Sequence, residues 1–357
     1  MKNLRKEFPV LSQYTYLNTA SCGLFYDTLL EFRQSHDLDY LIKGSTFRDS
    51  QVEFLQGVRS IIATTFHGDA ERIALLQNFS LGFHIVLEGL PKKSKFLLVT
   101  SDYPSVNFAV ISKGFKHYFA EANAHVEENI LNTIAKEKPD VLALSMIQYL
   151  DGIAIKPSIF KELKKTYPDL LIIVDGSQFL GTRSFSFKDS GIDILGTTGC
   201  KWLLGGYGTG FFMFTEKAIQ KITPTTYLIA AQKSPYDVSY TKALARFECG
   251  AMDTLAFGSL AHSLQFIQKI GWDVIEENIQ EVSEYAKEAL SSQNLLSEGV
   301  IKRTYHSSIF SIKGDQALYQ NLKSKDIITT FRNNSIRTSF HFYNTKDDVD
   351  QLLKALL

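Results

Sequence analysis

An α/β fold, with a mostly parallel central sheet in a large domain and a smaller α+β domain at the C-terminal end, is the architecture that this 357-residue chain predicts. Three observations carry the expectation. Short apolar runs of strand length alternate with segments of helical period through the first two thirds of the chain. One run, Leu-Ile-Ile-Val at 171–174, is apolar on both faces, as in a strand covered on both sides by helices. After about residue 250 the texture changes to long helical periods, then a polar, strand-rich segment and a closing helix.

In order, the strand candidates are 72–76, 95–100, 116–119, 141–146, 170–174, 192–197 and 210–214. Helical periods at 81–90, 106–114, 130–136 and 159–167 lie between several of them, which is the rhythm of βαβ units. Ligands of such sheets sit at the carboxyl ends of the strands, so chemistry is expected there. Further helical periods fall at 255–270, 274–293 and 346–357. The expected division is a large domain at 16–255 and a small one at 256–357 completed by residues 1–15. The segment 234–241, with Pro235, Tyr236, Asp237 and Ser239, reads as a loop.

Thirty-eight Lys and Arg balance 38 Asp and Glu, so the whole-chain charge favours neither nucleic acid nor an anionic membrane as a partner. Lys2, Arg5 and Lys6 open the chain, but Glu7 and Pro9 stand where a signal peptide needs an apolar run. No window approaches the roughly 18 apolar residues that cross a bilayer. Cys22, Cys200 and Cys249 supply neither an even disulfide framework nor a C-x-x-C metal pair. A reducing cytoplasm and no metal are the expectations.

The stretch 175–210 holds the most chemistry. Asp175 closes a buried apolar strand, where a carboxylate is costly unless it meets a cation or a strong donor such as a ring N–H. Lys201 follows a second strand through Thr198-Gly199-Cys200, which brings an amine to the same end of the same sheet. A lysine among apolar groups has a lowered pKa and can form a Schiff base with an aldehyde. An acid for a pyridinium nitrogen, a lysine for an aldehyde carbon and a hydroxyl for a phosphate are together what pyridoxal 5′-phosphate requires; Asp175, Lys201 and Thr198 fill those roles. Singly, the Asp could be a helix cap and the Lys a solvated charge. Their spacing, with Trp202-Leu203-Leu204 and the glycine loop 205–210 behind the lysine, favours the cofactor. That glycine loop precedes a strand and does not join a strand to a helix, so it is a tight turn and not a dinucleotide fingerprint.

Seven motifs stand in order: F-P-V-L and Y-L-N-T-A-S within 8–21, N-F-S-L-G at 78–82, D-Y-P-S at 102–105, V-D-G-S-Q at 174–178, T-G-C-K-W-L-L-G at 198–205, R-F-E-C-G at 246–250 and I-R-T-S-F-H-F-Y-N-T at 336–345. Together they resemble the class V aminotransferases. This is a branch of the fold-type I pyridoxal-phosphate enzymes that also holds cysteine desulfurases, selenocysteine lyases and isopenicillin N epimerase-like proteins. The resemblance implies covalently held pyridoxal phosphate and a homodimer with its site at the interface.

Carried over position by position, it implies that Asp175 pairs with the pyridine nitrogen and that Gln178 reaches the phenolic oxygen. Lys201 becomes both Schiff-base lysine and proton carrier. Phe79 and Ser80 open a helix after a strand and form, with Thr198 and Cys200, the phosphate end of the cofactor site; a plain N-cap is the local alternative for Ser80. Tyr103 falls where the family stacks a ring on the cofactor face, and Tyr149, with Gln148, takes the place of a cofactor-touching asparagine. Arg337 is the fork for the substrate α-carboxylate, with a structural salt bridge as its alternative. Arg332 is either solvated or set for a second carboxylate, and residues 18–21 offer backbone contacts.

Departures matter as well. Cys200 replaces a histidine that touches the phosphate in many relatives, and Ala251 replaces a threonine that reaches the neighbouring subunit's phosphate. No cysteine lies in 329–336, where desulfurases carry their persulfide-forming residue. The expected activity is transamination of a small-molecule amino acid, with epimerisation or β-elimination as neighbours. A non-catalytic protein that keeps the fold as a binding module is the alternative of another class.

Overall fold

The computed structural model describes residues 2–224, 244, 247, 248 and 250–356. The loop expected at 234–241, together with Arg246 and Cys249 of the R-F-E-C-G motif, lies outside the described residues. Strand β1 (Thr15–Tyr16) precedes seven strands of one sheet: β2 (Ile73–Leu76), β3 (Lys95–Val99), β4 (Lys116–Ala120), β5 (Val141–Ser145), β6 (Leu171–Asp175), β7 (Ile194–Thr198) and β8 (Gly210–Phe214). Four more follow: β9 (Ile309–Lys313), β10 (Ile327–Ile328), β11 (Thr330–Arg332) and β12 (Ser335–Ser339).

The large sheet has the order β2-β8-β7-β6-β5-β3-β4. Pairing is parallel from β4 through β7, and β8 runs antiparallel to both of its neighbours. Each expected strand appears within two residues of its expected ends. Successive side chains of one strand divide between two apolar cores. Leu97, Leu142, Leu144, Ile172 and Val174 face one, whereas Phe96, Leu98, Val141, Leu171 and Ile173 face the other. That is why the Leu-Ile-Ile-Val run shows no polar position. Helices Phe79–Glu88, Pro104–Ser112, Val126–Glu137 and Ser158–Thr166 supply the crossovers and covers.

Helices Asp27–Lys43 and Gln51–Phe66 were not expected from the sequence. In the first, only Leu29 is buried while Leu38, Leu41 and Ile42 are exposed, so its apolar residues trace no single inward stripe. Helix Thr254–Ile270 lies against both: Arg33 Nη1 donates to Ser259 Oγ at 2.9 Å and Gln268 Nε2 to Thr65 Oγ1 at 2.8 Å. Strands β11, β12 and β9 form an antiparallel sheet in that order, and β1 pairs in parallel with β10, Thr15 opposite Ile327. The strand expected beyond Arg337 stops at Ser339. There the chain turns, with His341 N–H donating to Asn344 Oδ1 at 2.8 Å and Asn344 N–H to His341 O at 2.9 Å. No helix among the described residues is long and apolar enough to cross a membrane.

Candidate active site

The strand ends converge as a parallel sheet requires. Ser145 stands in register with Asp175, and Asp175 with Gly196, while Thr198 closes β7. The chain leaving β2 supplies Asn78, Phe79 and Ser80, and the chain leaving β3 supplies Tyr103. A cavity of about 250 Å³ opens at this edge, and of the residues expected to touch a cofactor all but Gln148 line it: Phe79, Ser80, Tyr103, Tyr149, Asp175, Gln178, Thr198, Cys200 and Lys201. Another cavity, of about 210 Å³, lies on the far side of Ile147, but its charges are engaged: Arg183 with Glu276 at 3.6 Å, and Lys287 Nζ on Arg303 O at 2.5 Å.

Asp175 is 5% exposed, and its Oδ1 accepts the Ser177 N–H at 2.8 Å. Burial raises its pKa; the Ser177 hydrogen bonds and the Lys201 charge oppose that rise. Burial also lowers the pKa of Lys201, against the pull of Asp175 and Cys200, and the charges of Arg337 and Arg332 add to the lowering. Lys201 Nζ lies 5.5 Å from the centre of the Tyr103 ring. Among the described residues neither Asp175 nor Lys201 has an ion-pair partner within salt-bridge distance, so an acid and an amine face one cavity with their strongest interactions unmade.

Gln178 is held by both halves of its amide. Its Oε1 accepts Trp202 Nε1–H at 2.7 Å, and its Nε2 donates to Ala20 O at 2.9 Å. Because an indole can only donate, the amide oxygen must face Trp202, which leaves the second N–H of Nε2 for the cavity. Trp202 is fixed in turn: His341 Nε2 lies 3.0 Å from Trp202 O, while His341 Nδ1 accepts the Phe342 N–H at 2.9 Å. Burial pushes the pKa of His341 down to about 3, so a neutral ring with its proton on Nε2 satisfies both contacts.

Opposite the acid, hydroxyls gather at two helix starts. Asn78 caps helix Phe79–Glu88 by accepting the Leu81 N–H at 2.9 Å, so the cap is not Ser80. Ser80 Oγ instead lies 2.6 Å from Ser105 Oγ, at the start of helix Pro104–Ser112. Among the described residues Thr198 Oγ1 makes only long contacts, 3.5 Å to Cys200 Sγ and 3.4 Å to Thr209 O. Lightly engaged hydroxyls beside positive helix ends suit an anion. Ala251 is exposed in the turn before helix Thr254–Ile270 and lines a different cavity.

Arg337 is 2% exposed on β12. Its Nη1 donates to Tyr149 O at 2.7 Å and its Nη2 to Ser21 Oγ at 2.5 Å, while its Nε is buried without a partner. Burial, with the nearby Arg332, brings its pKa down to about 10, so it stays charged at neutral pH. No carboxylate pairs with it among the described residues, unlike Arg303, which grips Glu127 at 2.7 Å. Tyr149 meets Tyr103 edge to face with centroids 5.1 Å apart, and the exposed Arg332 guanidinium lies 5.9 Å from the Tyr149 ring. Gln148 does not line the cavity; its Nε2 is buried and unpaired. Ser21, Thr330 and Asn18 form a relay, Ser21 Oγ to Thr330 Oγ1 at 3.0 Å and Thr330 Oγ1 to Asn18 Oδ1 at 2.5 Å. The arm that bears Ser21 runs against the lysine loop: Gly23 N–H donates to Cys200 O at 2.8 Å, and a Cβ at Gly23 would collide with Lys201 O.

Sequence reasoning missed Asn78, Ser105, Ser145 and Ser177. Ser145 carried a usable signal, a polar residue ending an apolar strand, which is the feature that drew attention to Asp175.

Residues 43–325 match the family model described as Aminotransferase class-V. The uncharacterized aminotransferase YcbU of Bacillus subtilis (strain 168) is 22% identical over 97% of this chain and 94% of its own length. A probable cysteine desulfurase of Ureaplasma parvum serovar 3 is 25% identical over 96% of this chain and 92% of its own. Among solved structures, the cystine C-S lyase C-DES superposes with a TM-score of 0.88 at 20% identity, covering 98% of each chain. A second structure of C-DES carries glycine covalently linked to its pyridoxal-phosphate cofactor.

Proposed function

The chain belongs to the class-V aminotransferase family and has the fold of the type I pyridoxal-phosphate enzymes, and from that premise we propose that it is a pyridoxal-phosphate-dependent aminotransferase acting on an amino acid. The observation that supports this best is the pair Asp175 and Lys201, both buried, neither ion-paired among the described residues, across one cavity.

The residues present fit the group. Asp175 would hold the ring N–H, the free N–H of Gln178 the phenolic oxygen, and Ser80, backed by Ser105, and Thr198 the phosphate, with Phe79 and Cys200 beside them and Tyr103 against the ring. When bound, the cofactor supplies an electrophilic carbon for an amine and a protonated ring that takes up the electron pair released at the substrate Cα. Among the described residues Lys201 is the one amine lining the cavity, and its lowered pKa lets it lose its own proton and take one from Cα. Arg337 binds the α-carboxylate through its fork and so turns the Cα–H bond, not the bond to the carboxylate, toward Lys201. Transamination then needs no further acid or base, because Lys201 also returns the proton.

A second reading, β-elimination or desulfuration, draws on the relatives named as cysteine desulfurases. Desulfuration lacks the cysteine expected in 329–336, whereas β-elimination draws on the same lysine as transamination. Incubation with a panel of amino acids, following pyridoxamine phosphate, oxo acid, loss of optical purity and sulfide, separates the two. Pyridoxamine phosphate with an oxo acid supports the aminotransferase; sulfide release, or racemisation without pyridoxamine phosphate, overturns it. We also propose a homodimer, supported by exposed Leu38, Leu41, Ile42 and Val52, and the division into 16–255 and 256–357 with 1–15 as domains. Light scattering of the purified protein tests the first.

A further inference from the structure

We propose that Asp102 is a positioning residue of this site: one buried carboxylate ties the backbone of Tyr103 and the end of β5 to a common point behind Asp175, and so sets where the ring of a bound cofactor lies. The inference rests on the pyridoxal-phosphate reading given above.

Asp102 is 5% exposed and does not line the cavity. Its Oδ1 accepts the Tyr103 N–H at 2.6 Å and its Oδ2 the Ser145 N–H at 2.7 Å. Ser145 is paired in register with Asp175 on β6, and the Tyr103 ring stands 5.5 Å from Lys201 Nζ. A displacement of the Asp102 carboxylate is therefore passed to the ring beside the lysine and to the strand beside the acid.

A helix cap is the ordinary task of an Asp at such a place, and this one does not perform it. Helix Pro104–Ser112 has Tyr103 at its N-cap with no side-chain cap bond, and the carboxylate reaches across to the neighbouring strand instead. The backbone is bent just before it: Ser101 adopts a left-handed φ of 56°, a conformation that non-glycine residues hold only where the surroundings fix them. Two N–H donors converging on the two oxygens favour the ionised form. The groups facing the carboxylate are the Ser145 N–H and hydroxyl, the Tyr103 N–H and the Asp175 carboxylate. Burial, with Asp175 adding to it and the three donors opposing it, brings the pKa up to about 6.

Asp102→Asn in the full-length protein tests this. The amide keeps the shape but meets one of the two N–H groups with an NH2. Titration of the apoprotein with pyridoxal phosphate, read by protein fluorescence, is expected to show binding about tenfold weaker, and the pH midpoint of the bound cofactor's absorbance is expected to move from the wild-type value. Tyr103→Ala is expected to weaken binding as well, and the double variant to bind no worse than Tyr103→Ala alone. Wild-type affinity and midpoint in Asp102→Asn, or additive losses in the double variant, overturn the proposal. Should Asp102→Asn not fold, Asp102→Glu keeps the charge but moves it by a methylene; an affinity loss supports positioning, and wild-type affinity overturns it. If the unsubstituted protein shows no cofactor band, the functional reading falls and this inference with it; a wild-type band with an indifferent Asp102→Asn defeats this inference alone.

Discussion

On the cofactor side of the cavity, Thr198 N–H reaches Ser177 Oγ across 21 positions of sequence and the Asp102 carboxylate reaches Ser145 across 43. Arg337, proposed for the substrate carboxylate, reaches Ser21 across 316 positions, and beside it Thr330 reaches Asn18 across 312. The first set follows from a βαβ order that delivers each strand end to the same edge. The second exists only because the N-terminal arm is trapped between β10 and β12, with Thr15 opposite Ile327 and Asn18 bridged to Ser339. Neighbouring strand ends therefore bring together the groups proposed for the cofactor, whereas Arg337, proposed for the α-carboxylate that every amino acid carries, is held by contacts between segments more than 300 positions apart.

Substitutions can test whether the two sides act separately. Lys201→Ala is expected to have the largest effect: turnover should fall by at least about a thousandfold, and borohydride should no longer trap cofactor at this position, which peptide mass spectrometry reads directly. Asp175→Asn should lower the rate by about a hundredfold or more, since a neutral amide no longer stabilises a protonated ring. The same change removes a buried, unpaired carboxylate, so its cofactor-free form should melt higher than the unsubstituted apoprotein at pH 7. Arg337→Ala should act on the other side alone, raising KM by about tenfold or more while leaving the absorbance of the bound cofactor where it was. An altered cofactor band in that variant would join the two sides.

The smallest expected effect is on pH dependence. His341 resists protonation when folded, with a pKa of about 3 against an ordinary value of 6.5. The unfolded chain therefore takes up this proton first, so the histidine's contribution to stability is complete above about pH 6.5 and declines as the pH falls from there toward 3. Melting temperature followed against pH should show that decline, and His341→Gln should lessen its slope. A slope unchanged in that variant would detach the ring from the Trp202–Gln178 chain of contacts.

Much of this was legible in the sequence, for physical reasons. Leu-Ile-Ile-Val at 171–174 announces a strand because both of its faces are covered, and Asp175 stands out because an acid there needs a partner. Helix Asp27–Lys43 was illegible because most of its apolar residues point outward and only Leu29 is buried. In N-F-S-L-G the sequence leaves open whether Asn78 or Ser80 caps the helix, and only the geometry decides for Asn78. In D-Y-P-S the tyrosine drew attention and the aspartate did not, since the bond that gives Asp102 its place lands on Ser145, a residue no local pattern connects to it. The donor face of Gln178 depends on Trp202 and on Ala20, which lies 158 positions away.

The trapped arm also bears on biogenesis. Residues 15–21 leave the ribosome well before residues 327 and 328, which form the strand that receives β1, and the Arg337 that Ser21 contacts comes later still. By then all seven strands of the large sheet, which end at Phe214, have long been available to pair. The sheet edge that carries Asp175 and Lys201 can thus form in the growing chain well before Arg337, the group proposed for the α-carboxylate, has been made.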